Sequence, residues 1–505
     1  MFDLYINDNI ITVITDDISA KSFFKYTYES SVFNFKLRRY TKGFSTGYIY
    51  DSVQTRNKVS KYKFKLGWGI YLLNIFKYYI TPDQKKSILD TIYSSVYRTE
   101  PFPNLRSYQN DDVLFLLKYK YGLFSCYTGY GKSETIATLV NYSYSELGKN
   151  TLLLVPSIKC KDELVKRCKE RFNIDVPSKD GLLNIIVTGG VSNSKKYKDE
   201  ESLKELQKEF DKVEWVLADE VEYVMSPGGK KVLDMIHNYT NMYGFSGTAD
   251  KTNGEMISFA NGLSPAVTNN SDLVGYFGQS LVHRSPIHLD IDLISIRTSC
   301  FNNLKFTEDE MKGDKSIYQT VMNKMWMNPE TCNIITQLPT KFPKLFIPIN
   351  NLSNIISNWI DNYWLGKWRI LLISGAGYTY FDKCGNVTNV DLKGACDLIR
   401  NDEVDIIPST SSGYRALDLP GLNNILLIQG VLAGVVLQSI GRVARGTKVN
   451  IIDLKPKPYR SIPIYSRGVR ERSKMVQEYY KYCSINSITI EESEFNINNI
   501  SVVHE

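Results

Sequence analysis

Thr128-Gly129-Tyr130-Gly131-Lys132-Ser133, followed by an apolar helical pattern from Ile136, is the stretch from which the rest of the chain can be read. Its glycines let backbone N–H groups turn inward, and a helix starting directly afterwards adds the partial positive charge of its N-terminus. The segment therefore suits a phosphate group. In this reading Lys132 contacts the β- and γ-phosphates of a nucleotide and Ser133 holds its Mg²⁺. Thr128, Gly129, Tyr130, Gly131 and Glu134 complete the loop. The full phosphate-loop pattern has a glycine where this chain has Cys126. Taken alone, G-x-G-K-S also suits an ordinary turn, so the surrounding sequence has to decide.

The apolar run 215–218 ends in Asp219 and Glu220. A carboxylate pair at the end of a buried strand can bind Mg²⁺ through the first acid and polarise an attacking water through the second. Without the upstream loop it would be an ordinary acidic strand end. Ser246-Gly247-Thr248-Ala249 follows another apolar segment; small hydroxyl residues there suit a joint that senses nucleotide state, and otherwise make a turn. Gln438-Ser439-Ile440-Gly441-Arg442-Val443-Ala444-Arg445 puts two arginines on one helix face. Guanidinium groups spread the charge that develops on a γ-phosphate and are worth roughly 10³–10⁵ in rate. The plainer reading is a basic surface helix.

Working outward, the region from about 105 to 280 alternates short apolar runs (152–155, 183–187, 215–218) with helical segments, and 192–212 reads as an exposed loop and helix. The same rhythm returns from about 285 to 455, with runs at 345–349, 370–373, 404–407, 425–428 and 449–452. Strands alternating with helices predict parallel sheets. The fold class expected is therefore α/β, with two tandem parallel-sheet lobes preceded by a small strand-rich α+β domain. The divisions expected are 1–97, 98–282 (nucleotide-binding lobe), 283–455 (second lobe) and 456–505, a helical extension with an amphipathic helix around 469–482.

In the first region, read as strands with one helix, Lys61, Lys63 and Lys65 alternate with Tyr62, Phe64 and Leu66. That period puts three lysines on one strand face. Residues 1–97 hold 14 Lys and Arg against 8 Asp and Glu, which accounts for nearly all of the net charge of +7. Together with Arg38 and Arg39 this suits a polyanion-binding surface as well as a merely soluble basic domain. Trp68 could stack on a base, though a core position is the stronger expectation. Thr81-Pro82-Asp83 predicts a helix start.

With 43% apolar and 23% charged residues the chain is neither disordered nor membrane-like. Its 8 cysteines form no CxxC and its 4 histidines no metal pattern, so free thiols in a reducing compartment are expected. The N-terminus does not read as a signal peptide, and the longest apolar stretch, 425–437, is broken by Gln429, Gly430 and Gly434. A cytoplasmic location is expected, in the host cell if the chain is viral.

In their order and spacing these segments resemble the motifs of superfamily 2 helicases. Residues 128–133 resemble motif I, Asp219 to Glu222 motif II, 246–249 motif III and 438–445 motif VI. Arg106-Ser107-Tyr108-Gln109 resembles the motif in which a glutamine, here Gln109, reads adenine. Leu154-Val155-Pro156-Ser157 resembles motif Ia, and 410–420, with Thr410, Arg415 and Asp418, motif V. The resemblance covers about 105–455. It implies two RecA-like lobes and a nucleic-acid-dependent ATPase using ATP and Mg²⁺. Lys132, Asp219, Glu220, Gln438, Arg442 and Arg445 would be catalytic, and Arg106, Gln109 and Asp418 would hold the nucleotide. Ser246, Gly247, Thr248 and Glu222 would couple the cycle to nucleic acid. Pro156, Ser157, Thr188, Thr410 and Arg415, with the basic N-terminal residues, would contact the nucleic-acid strand. Motif II reads Asp-Glu-Val-Glu instead of the usual DExH or DExD, and Ala416 stands where motif V often has Gly. The layout is most similar to phage recombination helicases of the UvsW type, which implies a monomer that unwinds or branch-migrates forked and four-way DNA in replication, recombination or repair. An RNA helicase, or a duplex translocase that does not separate strands, shares the same motor. A non-hydrolysing scaffold is disfavoured by the intact Lys132, Glu220, Arg442 and Arg445.

Overall fold

The computed structural model describes residues 2–7, 9–17, 20–34, 39–48, 50–56, 58–76, 78–94, 98–127, 129–194, 197, 199–247, 258–259, 275–278, 280–284, 289–298, 323–349, 353–410, 421–428, 440–441, 443, 448–456, 472, 476–477, 480, 482–491 and 495–497. It divides into two compact units: Met1–Asn34 with Tyr40–Arg284, and Phe35–Arg39 with Ser285–Glu505.

The first unit opens with β1 (Phe2–Asn7), β2 (Ile10–Thr15), β3 (Lys25–Asn34), β4 (Arg39–Tyr48), β5 (Ser52–Arg56) and β6 (Val59–Lys65). β1, β2, β6 and β5 form an antiparallel sheet in that order. The alternation in β6 is real: Tyr62 and Phe64 are buried while Lys63 faces solvent. Two helices follow where one was expected, Gly69–Ile75 and Pro82–Ile92. The second starts as its sequence predicts, with Thr81 and Gln84 exchanging hydrogen bonds in a capping box (3.0 and 3.2 Å).

β7 (Tyr121–Cys126), β8 (Thr151–Val155), β9 (Leu183–Val187), β10 (Trp215–Asp219), β11 (Asn241–Ser246), β12 (Ser258–Phe259) and β13 (Ser280–Arg284) complete the unit. Except for β12, which joins β3 and β4 in a small sheet, they form one parallel sheet, ordered β13-β7-β11-β10-β8-β9. β7, β8, β10 and β11 are buried at every residue, which is why β8 and β10 read as apolar runs.

The N-terminal sheet and this parallel sheet share one core. A single buried cluster runs from Leu4, Val13 and Phe64 through Trp68, Leu72 and Ile92 to Tyr121, Leu154, Val216 and Phe277. Trp68 belongs to that core, so it is not an exposed stacking residue. Polar contacts seal the rim. Asn9 Nδ2 donates to the carbonyls of His237 (2.6 Å) and Tyr239 (3.3 Å), and Lys65 pairs with Asp51 (3.2 Å) and Asp234 (3.7 Å) while lying over the Tyr276 ring.

The second unit carries β14 (Asp290–Thr298), β15 (Leu345–Ile349), β16 (Ile370–Ser374), β17 (Gly377–Phe381), β18 (Val387–Val390), β19 (Ile406–Thr410), β20 (Asn424–Leu427), β21 (Lys448–Pro456) and β22 (Ser484–Glu491). The order is β18-β17-β16-β19-β15-β20-β21-β14-β22, parallel except that β17, near one edge, runs antiparallel to both β16 and β18. The tail expected as a helical extension is thus corrected in part: β22 pairs with β14 over eight residues and belongs to the sheet. Its polar alternation hides it, because an edge strand has one solvated face. Most of the helix expected at 469–482 lies outside the described residues.

One shared core predicts one cooperative unit. Amides of β1, β2 and β6 should exchange with solvent at the same global free energy as those of β7 and β10. Truncating Leu72 to Ala should destabilise both regions together, by about 2–5 kcal/mol. Independent exchange in the two regions would show that the N-terminal sheet folds by itself.

Candidate functional site

Every motif of the first unit sits at one edge of the parallel sheet. The phosphate loop follows β7, Asp219 ends β10, Ser246 ends β11, Pro156 and Ser157 follow β8, and Thr188 follows β9. Parallel strands bring all five C-terminal ends to the same side, where ligands of open α/β sheets bind.

The loop itself departs from ordinary backbone at two glycines. Gly129 and Gly131 both have φ of +99°, in the region that side chains strain to enter. Gly131 is constrained twice, because a Cβ there would meet Gln109 Nε2 at 2.5 Å. The helix Lys132–Val140 starts directly after it. Lys132 turns its ammonium onto both carboxylates of β10, 3.2 Å from Asp219 Oδ1 and in contact with Glu220 Oε1. Glu220 holds a left-handed φ of 47°, a cost of the order of 1–3 kcal/mol for a non-glycine, at the turn that carries its carboxylate to the lysine. Asp219 is buried, and burial pushes its carboxyl above the ordinary value while the Lys132 ammonium opposes that rise.

Gln109 sits beneath the loop. Its Nε2 donates to the Tyr130 carbonyl (3.0 Å), and its Oε1 accepts from the Arg106 amide (3.0 Å). The Arg106 guanidinium donates to the Tyr108 hydroxyl (2.8 Å), which in turn reaches the Tyr130 carbonyl. The Ser133 hydroxyl donates to Glu163 Oε1 (3.1 Å), and Glu134 is held by Arg167 and Arg171, all three partners lying on the helix Ile158–Phe172.

The other expected residues fall as follows. Ser157 caps the helix Ile158–Phe172, its hydroxyl accepting from the Cys160 amide (3.3 Å). Thr188 is buried with its hydroxyl on the Val155 carbonyl (3.3 Å). Ser246 is buried and pairs in register with Ser125 of β7, with Gly247 directly after it. Glu222 lies in a helical turn, Val221–Val224. Thr410 ends β19 of the second unit, and Arg39 starts β4. Lys61 and Lys63 occupy the outer face of the N-terminal sheet, whereas Lys65 is engaged within the unit. Thr128, Thr248, Arg415, Asp418, Gln438, Arg442, Arg445 and Arg38 lie outside the described residues.

Three side chains that sequence reasoning missed matter here. Glu163 holds Ser133. Tyr5 stands directly across the sheet from Thr12, which faces Lys63, and carries Lys61 Nζ 5.7 Å over its ring; the hydrogen bond from Lys61 holds its hydroxyl below the ordinary value. Asp112 binds the phosphate-loop tyrosine. The alternation of β1 could have found Tyr5; nothing in the local sequence announces Asp112 or Glu163.

Ser133 and Asp219 are hard oxygen donors of the kind that suits Mg²⁺. No group of three or more His, Cys, Asp or Glu able to hold a metal occurs among the described residues, and no described helix is long and apolar enough to cross a membrane. The seven described cysteines are free.

No protein-family description and no curated protein matches the sequence. Among solved structures, similarity is found to bacteriophage T4 UvsW, at 16% identity over 97% of this chain and 99% of that one, with a TM-score of 0.35. A Saccharomyces cerevisiae Dbp5 structure, "bound to RNA and ADP BeF3", is 11% identical over 76% of this chain and 90% of that one, at a TM-score of 0.46. A DEAD box protein from the hyperthermophile Methanococcus jannaschii is 14% identical over 76% of this chain and 92% of that one, at 0.35.

Proposed function

We propose that the chain is an ATP-hydrolysing nucleic-acid motor of the superfamily 2 helicase type, acting on forked or branched DNA in replication, recombination or repair. The observation that carries the reading is the Lys132 ammonium joined to Asp219 and Glu220 under a loop with two left-handed glycines.

Each part has a task in that reading. The loop amides and Lys132 take the phosphates of ATP in place of the two carboxylates. Asp219 and Ser133 would hold the Mg²⁺ of a bound nucleotide, and Glu220, freed from Lys132, would orient the attacking water. That metal, when bound, would supply neutralisation of phosphate charge. Gln109, already clamped to the loop, is positioned to read the adenine edge. The resemblance assigns Gln438, Arg442 and Arg445 to the γ-phosphate and Asp418 to the nucleotide. Pro156, Ser157, Thr188, Thr410 and Arg415 would track a strand's backbone, which makes motion largely indifferent to sequence. The outer face of the N-terminal sheet, with Lys61, Lys63 and Tyr5, offers two cations and a stacking ring to DNA. The DNA reading is supported by that basic face.

The first experiment is steady-state ATPase at fixed salt, titrated with single-stranded, duplex, forked and four-way DNA and with matched RNA. Forks or junctions should stimulate most; stimulation by RNA alone would keep the motor and reject the DNA assignment. Lys132→Ala should abolish turnover while nucleic-acid binding persists, and Glu220→Gln should still bind ATP but not hydrolyse it. Normal turnover in either variant would refute the site.

Because truncating the N-terminal sheet would strip the shared core, its role is better probed by charge. Replacing Lys61 and Lys63 together with alanine should make the salt dependence of DNA affinity shallower, by about 1.4–1.8 in the log–log slope. An unchanged slope would remove that face from the DNA interface.

A further inference from the structure

Tyr130, the residue between the two glycines of the phosphate loop, points away from the site that the glycines shape. Its side chain is buried, 1% exposed, in an aromatic nest with ring centroids 5.3 Å from Tyr108, 5.4 Å from Phe124 and 5.8 Å from Tyr127. Its hydroxyl donates to Asp112 Oδ2 at 2.7 Å. Burial and that bond both push the hydroxyl well above its ordinary value, so it remains a donor.

Asp112 is itself buried, and its second partner is a guanidinium. Arg284 Nε donates to Oδ2 at 2.7 Å and a terminal nitrogen donates to Oδ1 at 2.6 Å, a bidentate pair. Arg284 closes β13, and its carbonyl accepts from the Tyr127 amide at 3.1 Å, one residue before the loop. Arg284 is therefore fastened to the loop from both sides, through main chain before it and through Asp112 to the tyrosine within it. Asp112 and Gln109 lie three residues apart on one helix, Ser107–Leu116, and both grip Tyr130, one at its hydroxyl and one at its carbonyl.

We propose that Asp112 and Arg284 are positioning residues for nucleotide binding: they hold Tyr130 so that the backbone of Gly129 and Gly131 is preset for phosphate, and they tie the loop to the strand from which the chain leaves the first unit. A loop held in this way does not have to be ordered by the nucleotide, so its entropy cost falls before ATP arrives. The guanidinium also keeps the buried carboxylate from standing alone with a single hydroxyl partner.

The inference rests on reading 128–133 as a nucleotide site, and its test separates the two. Tyr130→Phe, which keeps the ring nest, Arg284→Ala, and the double variant are compared by hydrogen exchange of the amides of residues 129–133 without nucleotide, and by KM and kcat for ATP. Each single change should speed exchange of those amides several-fold and raise KM about five- to tenfold with kcat within about twofold, the size of one charge-assisted or buried hydrogen bond. The double variant should be no worse than the more severe single, since both cut one chain. Arg284→Lys, which restores charge without the fork, should recover only part of the effect. Unchanged loop exchange, or effects on exchange that multiply in the double variant, would overturn the positioning role. Faster exchange in a protein that binds no ATP would leave the clamp standing and refute the nucleotide reading instead.

Discussion

The ammonium of Lys132 lies against two carboxylates that reach it from a different strand, and much of the first unit is arranged to make that meeting possible. β7 and β10 are not neighbours; β11 runs between them. The loop must therefore pass over the end of β11, which finishes in the small, buried Ser246. Two like charges at Asp219 and Glu220 would repel in a buried setting without the cation. The lysine relieves that repulsion in the free protein, and a nucleotide with its metal ion would relieve it in the bound one. In the function proposed above, the same group would stabilise the free site and move toward phosphate when a nucleotide binds, and only then would Glu220 be released.

A parallel sheet with every side chain of four strands buried cannot leave its flanks exposed. Here the N-terminal sheet covers part of that surface, with Trp68, Leu72 and Ile92 packed into the same cluster as Tyr121 and Leu154. Gly69 marks how close the approach is: a Cβ there would meet the Tyr121 hydroxyl at 3.0 Å and Ile92 at 3.1 Å. A region that looks from its charge like an attached module is therefore structurally part of the first unit. Its basic strand is divided between two duties. Lys63 faces solvent and Lys61 lies over the Tyr5 ring, while Lys65 pairs with Asp51 and Asp234.

What could be read in the sequence follows from which interactions are local. β8 and β10 are legible because full burial gives a short apolar run, β7 and β11 are not because Ser125, Asn241 and Ser246 interrupt them, and the turn after β7 is legible because its left-handed backbone demands glycine at fixed spacing. The cap at Thr81 was visible for the same reason. What escaped was either long-range or masked by solvent. β22 is an edge strand with a polar face, and its partner β14 lies almost 200 residues earlier. Asp112 and Arg284 are 172 residues apart and form a pair that no spacing predicts. Lys65 could not be separated from Lys61 and Lys63 by alternation alone, since its fate depends on Asp234. Trp68 suits either a stacking or a core position by sequence, and its burial places it in the core.

The helix Ser107–Leu116 shows how these long-range contacts serve a local motif. Its Gln109 is the residue a motif search selects, yet the amide is already committed at both ends, to the Arg106 amide and the Tyr130 carbonyl. An amide with both ends bonded cannot rotate freely, so its orientation is set before any adenine is present. One turn later on the same face, Asp112 holds the hydroxyl of the same tyrosine. A nucleotide that moved the loop would therefore have to move this helix, and through Arg284 the end of β13 as well. Rigidity here is not a property of the phosphate loop, whose glycines would make it the most adaptable segment of the unit. It is conferred by the aromatic side chain placed between those glycines and by the charged pair that holds it.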